Sequence, residues 1–224
     1  MLDTLSAGLL GFLLGLKHAT DSDHVVAVSA IVARERSFGR AAWIGGLWGI
    51  GHSLTVFVVG GAIVAFRLVI PPRLGLGFEF AVALMLILLG FSNLRAPAEG
   101  KGHGHEHQHE HPVAFSGLRP VLVGIVHGLA GSAAVAILVL AAIPQTSLAL
   151  AYLFVFGVGT IAGMLMVTGL IALPAVYAGE RMARFQTGIR LAAGALSVLF
   201  GVLLAREIIV NGGLFSAAPS WSPR

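Results

Sequence analysis

The residues with the clearest chemistry lie in a seven-residue segment, HATDSDH at positions 18–24, which has apolar sequence on both sides. A carboxylate at the centre of a membrane helix costs about 2.5–3.5 kcal/mol, so two of them beside two imidazoles indicate a function. Mixed imidazole and carboxylate sites suit nickel, cobalt and zinc, whereas calcium and magnesium prefer more oxygen ligands. We therefore interpret the segment as an intramembrane site for a divalent metal ion. The alternative is a polar cap and turn at the end of a short helix.

The spacing predicts which of these side chains share a face. At about 100° per residue, His18, Asp21 and His24 fall within an arc of about 120° on a regular helix. Asp23 lies on a different face, although a break or a 3₁₀ turn would bring it inward.

Two further histidines lie deep in apolar stretches, His52 in GLWGIGHSLT and His127 in GIVHGLAGS. Each can be a direct ligand, a hydrogen-bond donor behind the ligands, or a proton acceptor. A lone buried histidine is more often a satisfied core residue, but these two come with the charged segment, and we expect them to line the same cavity. The candidate metal ligands are His18, Asp21, Asp23, His24, His52 and His127.

Composition indicates a polytopic all-α membrane protein. The chain has 224 residues, 57% of them hydrophobic and 11% charged, with a mean hydropathy of +0.91. Soluble proteins carry about 25% charged residues. There is no cysteine, which excludes disulfides and thiolate metal sites. The basic residues lie in short loops between apolar stretches, so they report membrane topology and do not indicate nucleic acid as a partner.

About six apolar stretches are long enough to cross a bilayer core of about 30 Å. They cover approximately residues 5–32, 41–66, 78–94, 118–143, 148–177 and 188–210. The first is long for one span, which predicts a tilt or a break. The tail after the last stretch is expected to be a loose end, with Trp221 at the membrane interface.

The two halves of the chain resemble each other. His18 aligns with His127, His52 with Thr160, and Arg95 with Arg206, in the same order and at a nearly constant offset. A three-span repeat enters the membrane upside down in its second copy, which predicts a 3+3 inverted repeat with the site between the halves. The expected units are a first repeat at 1–95, a His-rich loop at 96–117, a second repeat at 118–210 and a tail at 211–224.

Lysine and arginine then predict the orientation. Nine of them lie on one predicted side of the membrane and four on the other. The richer side is expected to be cytoplasmic, which places both termini outside and the 96–117 loop in the cytoplasm.

That loop contains five histidines at alternate positions, interleaved with Glu106 and Glu110. Such tracts bind metals with modest affinity, so the loop can collect, buffer or sense metal; the alternative is a polar linker. The histidines are His103, His105, His107, His109 and His111.

These motifs resemble the nickel/cobalt transporter (NiCoT) family, whose signature is a histidine, four residues and then Asp-His. His18, Asp23 and His24 occupy the matching positions. GHSLTV, with His52, resembles a second histidine motif, and HGLAGSAAV, with His127, resembles the short urease-accessory or hydrogenase-linked permease branch. The chain differs from the larger members, which have eight spans and an Asp/Thr/Glu-rich motif that is missing here.

The resemblance implies a permease for Ni²⁺ or Co²⁺ in the cell inner membrane, with uptake as the expected direction. The ion is cargo, so no cofactor and no enzymatic activity are expected. The partners would be the metal ion, the lipid bilayer and urease or hydrogenase maturation proteins. The alternatives are an efflux protein, an accessory subunit that hands over metal, and an intramembrane metalloenzyme. The last lacks both an HExxH pattern and an evident nucleophile.

Overall fold

The protein is a bundle of helices, with no strand in the part of the chain that the structure describes. The computed structural model describes residues 4–33, 35, 37–95, 113–143, 145–178 and 183–221. The predicted His-rich loop, with its five histidines, lies outside these residues. The helices are α1 (Thr4–His18), α2 (Ser22–Val32), α3 (Phe38–Thr55), a π-helical turn (Val56–Gly60), α4 (Gly61–Phe66), α5 (Pro72–Arg95), α6 (Val113–Ala142), α7 (Thr146–Ala178) and α8 (Ala183–Val210).

Four helical runs, where six were predicted, are by themselves long and apolar enough to cross a membrane. They are Phe38–Phe66, Pro72–Arg95, Thr146–Pro174 and Gln186–Val210. The first predicted span is divided into two shorter apolar helices, Gly8–His18 and Ser22–Val32, because the polar segment interrupts it. In α6 the described apolar stretch is the shorter Gly117–Gly131. The chain is therefore a helical membrane protein with a broken first helix.

The break between α1 and α2 has a defined backbone. The amides of Thr20 and Asp21 donate to the carbonyls of Lys17 and His18, which is the tight i, i+3 pattern of a 3₁₀ turn. Asp21 then adopts extended angles, φ −62° and ψ 148°, before α2 begins. The helix axis therefore changes within the HATDSDH segment itself.

The distribution of polar and apolar side chains is that of a protein surrounded by lipid. Large apolar side chains are exposed on the outside, including Leu88, Phe154 and Leu203. Polar side chains such as Asn93, Thr160, His24, His52 and His127 are buried inside. This arrangement is expected where the solvent is hydrocarbon and polar groups must be satisfied within the bundle.

Helix packing brings the broken helix and its neighbours together. Helix α1 packs on α7, α3 packs on both α6 and α7, and α5 packs on α8. Helix α2 lies against α5, α7 and α8.

The C-terminal tail folds back on the bundle and is not the loose end that we expected. The Trp221 indole lies against Gly75, where a side chain would collide with it, and its N–H donates to Glu79 Oε1 at 2.9 Å. The Arg73 guanidinium donates to the Ser216 carbonyl. A missing side chain at Gly75 and a buried acceptor at Glu79 therefore hold the tail, and neither feature can be recognised from the tail's own sequence.

Candidate metal centre

Four histidines from four helices form one cluster at the break. His18 is the last residue of α1, His24 lies in the first turn of α2, His52 is on α3 and His127 is on α6. The ring centroid of His24 lies 4.2 Å from that of His127, 4.6 Å from that of His18 and 5.1 Å from that of His52. We call these four residues the imidazole cluster. His24, at its centre, is 1% exposed, His52 is 0% exposed and His127 is 2% exposed.

Three members of the cluster can hold one ion. His18, His24 and His52 each offer a ring nitrogen within 4.8 Å of the other two. The Nε2 atoms of His18 and His52 are 3.2 Å apart. The Nε2 atom of His24 and the Nδ1 atom of His52 are buried without a hydrogen-bond partner among the described residues. Buried polar atoms normally have a partner, so these nitrogens are suited to an ion as ligand atoms.

Two carboxylates orient the rings. Asp21 Oδ2 lies 2.8 Å from His18 Nδ1, and Asp23 Oδ1 lies 3.1 Å from His24 Nδ1. A carboxylate accepts from a ring N–H, so each pair places the proton on Nδ1 and leaves a lone pair on Nε2. Metal-binding histidines are commonly oriented in this way by a carboxylate behind the ring.

Asp23 also joins a second group that includes His24. Its Oδ2 atom lies 2.8 Å from His127 Nε2, and Asp23, His24 and His127 again offer ligand atoms within 4.8 Å of one another. The two groups share His24, so they are adjacent parts of one centre.

The structure brings five of the six candidate ligands into these two groups and places Asp21 differently. The regular-helix prediction had Asp21 between His18 and His24, but its side chain is 47% exposed and contacts His18. Because the helix is broken, Asp23 turns inward to reach both His24 and His127, as a break was expected to allow. The five predicted loop histidines cannot be placed, since they lie outside the described residues.

Sequence reasoning did not assign two residues to the centre, although one of them, Gly131, is among the small residues that follow His127 in the sequence. Trp48 stacks on His24 with ring centroids 5.6 Å apart and meets His127 edge-on at 5.7 Å. It lies one turn before His52 on α3, and that i, i+4 spacing was the available signal. The other residue is Gly131, where a Cβ would lie 3.6 Å from His52 Cε1 and 3.8 Å from His18 Nε2.

Close helix contacts hold the histidines in place. A side chain at Gly124 would overlap the Trp48 carbonyl, and one at Gly128 would lie 2.7 Å from the His52 carbonyl oxygen. Helices α3 and α6 therefore meet backbone to backbone, as small residues permit in membrane bundles. This contact sets the separation of His52 and His127.

The chain is similar to two curated proteins. It is 34% identical over 220 residues to the urease accessory protein UreH of Bacillus sp. (strain TB-90), and the aligned segment covers 95% of this chain and 96% of that protein. It is 34% identical over 71 residues to a high-affinity nickel transport protein of Cupriavidus necator (strain H16), which covers 31% of this chain and 20% of that protein. No protein-family model matches the chain, and no solved structure matches it.

Proposed function

This chain belongs to the nickel/cobalt transporter family, and from that membership we propose that it is a permease that carries Ni²⁺, and Co²⁺ as a second cargo, across the cytoplasmic membrane. It is a multi-pass membrane protein of metal-ion transport and not an enzyme, since both relatives are named for transport or an accessory role. The observation that carries the proposal is the buried imidazole cluster with its two carboxylates.

The cluster suits a borderline transition metal. Neutral imidazole is a good ligand for nickel and cobalt, and a carboxylate behind a ring raises its basicity. We propose that the ion is held by His18, His24 and His52, with Asp21 orienting His18. Asp23 and His127 supply the adjacent group, so the cargo can move between positions that share His24.

The helix packing supports a 3+3 inverted repeat as the finer architecture, with α1, α2 and α6 completing six spans. A side chain at Gly15 on α1 would overlap the Phe156 carbonyl on α7, and one at Gly124 on α6 would overlap the Trp48 carbonyl on α3. The alignment of His18 with His127 pairs Gly15 with Gly124, and the alignment of His52 with Thr160 pairs Trp48 with Phe156. The two contacts are therefore equivalent under the repeat.

The third helix of each half behaves in the same way. A side chain at Gly90 on α5 would collide with the Gly194 carbonyl on α8, and one at Gly201 on α8 would collide with the Ala83 carbonyl on α5. The alignment of Arg95 with Arg206 pairs Gly90 with Gly201 and Ala83 with Gly194. Exchanging the two halves therefore converts the Gly90–Gly194 contact into the Gly201–Ala83 contact, and both are present. Such a repeat allows the two halves to rock around a central site.

The orientation and direction complete the proposal. The excess of Lys and Arg at the α2–α3 and α5–α6 ends favours a cytoplasmic location for that side, with both termini outside. We propose uptake as the direction, with the His-rich loop collecting the imported ion. The likeness to a urease accessory protein favours a urease maturation protein as the receiver of nickel. An efflux protein would use the same loop to capture ions for export.

The test is metal accumulation in cells that lack their own nickel uptake. Wild-type protein is expected to raise cell-associated nickel, and cobalt to a lesser extent. His24→Ala removes the ligand shared by both groups and is expected to return accumulation to the background. Gln145→Ala, at the exposed α6–α7 connection, is the control at matched expression. Full accumulation with His24→Ala would refute the site, and depletion of nickel by the wild type would reverse the direction.

A further inference from the structure

A cavity of about 400 Å³ opens at one end of the bundle, between α2, α3, α5 and α6. We call it the Glu35 cavity, since the Glu35 carboxylate lines it together with polar groups of Ser92, Asn93 and Arg119. Its volume and polar lining are sufficient for several water molecules. The Glu35 side chain is 21% exposed and lies 3.9 Å from the guanidinium of Arg40, which is itself 73% exposed.

The inner wall of this cavity lies next to the imidazole cluster. Ile44 and Val123 line the cavity, and each is four residues, or one helical turn, before a residue of the centre. Ile44 precedes Trp48 on α3, and Val123 precedes His127 on α6. Both lining residues pack against the apolar cluster that contains Trp48.

Trp48 lies one helical turn beyond the cavity-lining residue Ile44 and contacts the imidazole cluster. It is 1% exposed, it stacks on His24, and it touches His127 edge-on. Its Nε1 atom is buried without a hydrogen-bond partner among the described residues. An unsatisfied buried N–H is costly, so this position of the indole is not fully stabilised by hydrogen bonding.

We propose that the Glu35 cavity is the vestibule through which a hydrated divalent cation passes between the imidazole cluster and that side of the membrane, and that Trp48 is its gate. This inference rests on the proposed function. In the conformation described, the gate is closed. The other side of the cluster is more open, since His18 is 18% and Asp23 is 35% exposed.

The gate can be tested with single cysteines, because the chain has none of its own. Ser92→Cys reports on the vestibule, and Gly131→Cys places a thiol beside His18 and His52. Sealed membrane vesicles that expose the Glu35 side are treated with a small, membrane-impermeant cationic thiol reagent. Ser92→Cys is expected to react quickly, and Gly131→Cys slowly.

Adding Trp48→Ala to Gly131→Cys is expected to raise the modification rate by about tenfold or more. Trp43→Ala is the matched control, since Trp43 is on the same helix and 64% exposed, and it should leave the rate unchanged. Trp48→Leu keeps an apolar side chain and replaces the alanine variant in this test if that variant does not fold. It should raise the modification rate of Gly131→Cys by a smaller factor. An unreactive Ser92→Cys, or a Gly131→Cys rate that neither Trp48 variant changes, would overturn the proposal.

Nickel binding to the purified wild-type protein, measured by equilibrium dialysis, separates this inference from the proposed function. If the protein binds nickel but the Trp48 variants do not change labelling, the gate proposal fails and the proposed permease function stands. If the Trp48 variants change labelling but the protein does not bind nickel, nickel is not the cargo and the proposed path through the Glu35 cavity stands.

Discussion

At the scale of residues, the two aspartates of the motif have different environments and different roles. Asp21 is exposed and reaches His18 alone, whereas Asp23 connects His24 to His127. Asp21 therefore orients the ring of His18, while Asp23 links the two groups that could hold a metal ion. A carboxylate behind a histidine changes metal affinity by about 10–100-fold, so both positions matter even where they do not touch the ion.

Gly131 leaves space beside His18 Nε2, a ligand atom in the proposed function. In Gly131→Ala, the methyl group would lie at ordinary van der Waals distances from His18 and His52, so the fold should tolerate it. The methyl nevertheless occupies the space that an ion needs beside His18 Nε2. We expect nickel affinity to fall by about tenfold or more with unchanged expression and thermal stability, measured by equilibrium binding to purified protein.

Gly117→Ala is the matched control, because a Cβ there would meet only Leu47 Cδ1, at 3.6 Å, and the position is on the same helix α6. It should bind nickel as the wild type does. Equal nickel affinity of Gly131→Ala and the wild type would place the ion away from His18 Nε2.

The sequence predicts residue types better than it predicts residue directions. The cost of burying charge in lipid singles out HATDSDH, His52 and His127 without any structure. On a regular helix the spacing places Asp21 toward the histidines and Asp23 on another face, whereas the structure leaves Asp21 exposed and turns Asp23 inward, because their directions depend on the local backbone at the break. Its residue type alone does not identify Trp48, since an aromatic residue in an apolar helix is ordinary, and the i, i+4 spacing to His52 is the one signal for it.

At the scale of elements, glycines determine how closely the helices approach. Helix α1 meets α7 through Gly15, where a side chain would collide with the Phe156 carbonyl and the Thr160 amide. The apolar pattern could not predict this contact, because lipid-facing and protein-facing sides of such helices are both apolar. The apolar pattern therefore shows where a membrane-spanning helix lies but not which of its faces packs on another helix. Small-xxx-small spacing is the sequence signal that indicates the packed face.

Gly15→Ala is expected to destabilise the protein. A methyl group there would overlap backbone atoms of α7, which cannot move without displacing the whole helix. Overpacking of this kind costs about 1–3 kcal/mol, so the unfolding temperature in detergent should fall. Gly8→Ala on the same helix is the control, since a Cβ there meets nothing within 4 Å. Equal unfolding temperatures for the two variants would show that α1 and α7 are not in close contact.

At the scale of the whole molecule, a polar interior and an apolar exterior fit a bundle that conducts ions through its centre. The contacts of α1 with α7 and of α6 with α3 join positions that the alignment of the two halves also pairs, as the proposed repeat requires. The nearly constant offset between the halves could be recognised from the sequence, but the tail's contact with Gly75 and Glu79 has no counterpart in the described part of the first half. Internal comparison of the sequence therefore leads to the proposed repeat, but it cannot predict a contact made by a segment outside the repeat.

The proposed orientation predicts which connections face the outside of the cell. Val69, between α4 and α5, is 91% exposed, and Ser37, between α2 and α3, is also exposed. These two positions flank the same membrane crossing. With both termini outside, a membrane-impermeant maleimide added to intact cells should label Val69→Cys and leave Ser37→Cys unlabelled until the cells are opened. Background labelling should be low, because the natural chain lacks cysteine. The reverse pattern would invert the topology and place the His-rich loop outside, while labelling of both positions in intact cells would mean that the helical run from Phe38 to Phe66 does not cross the membrane.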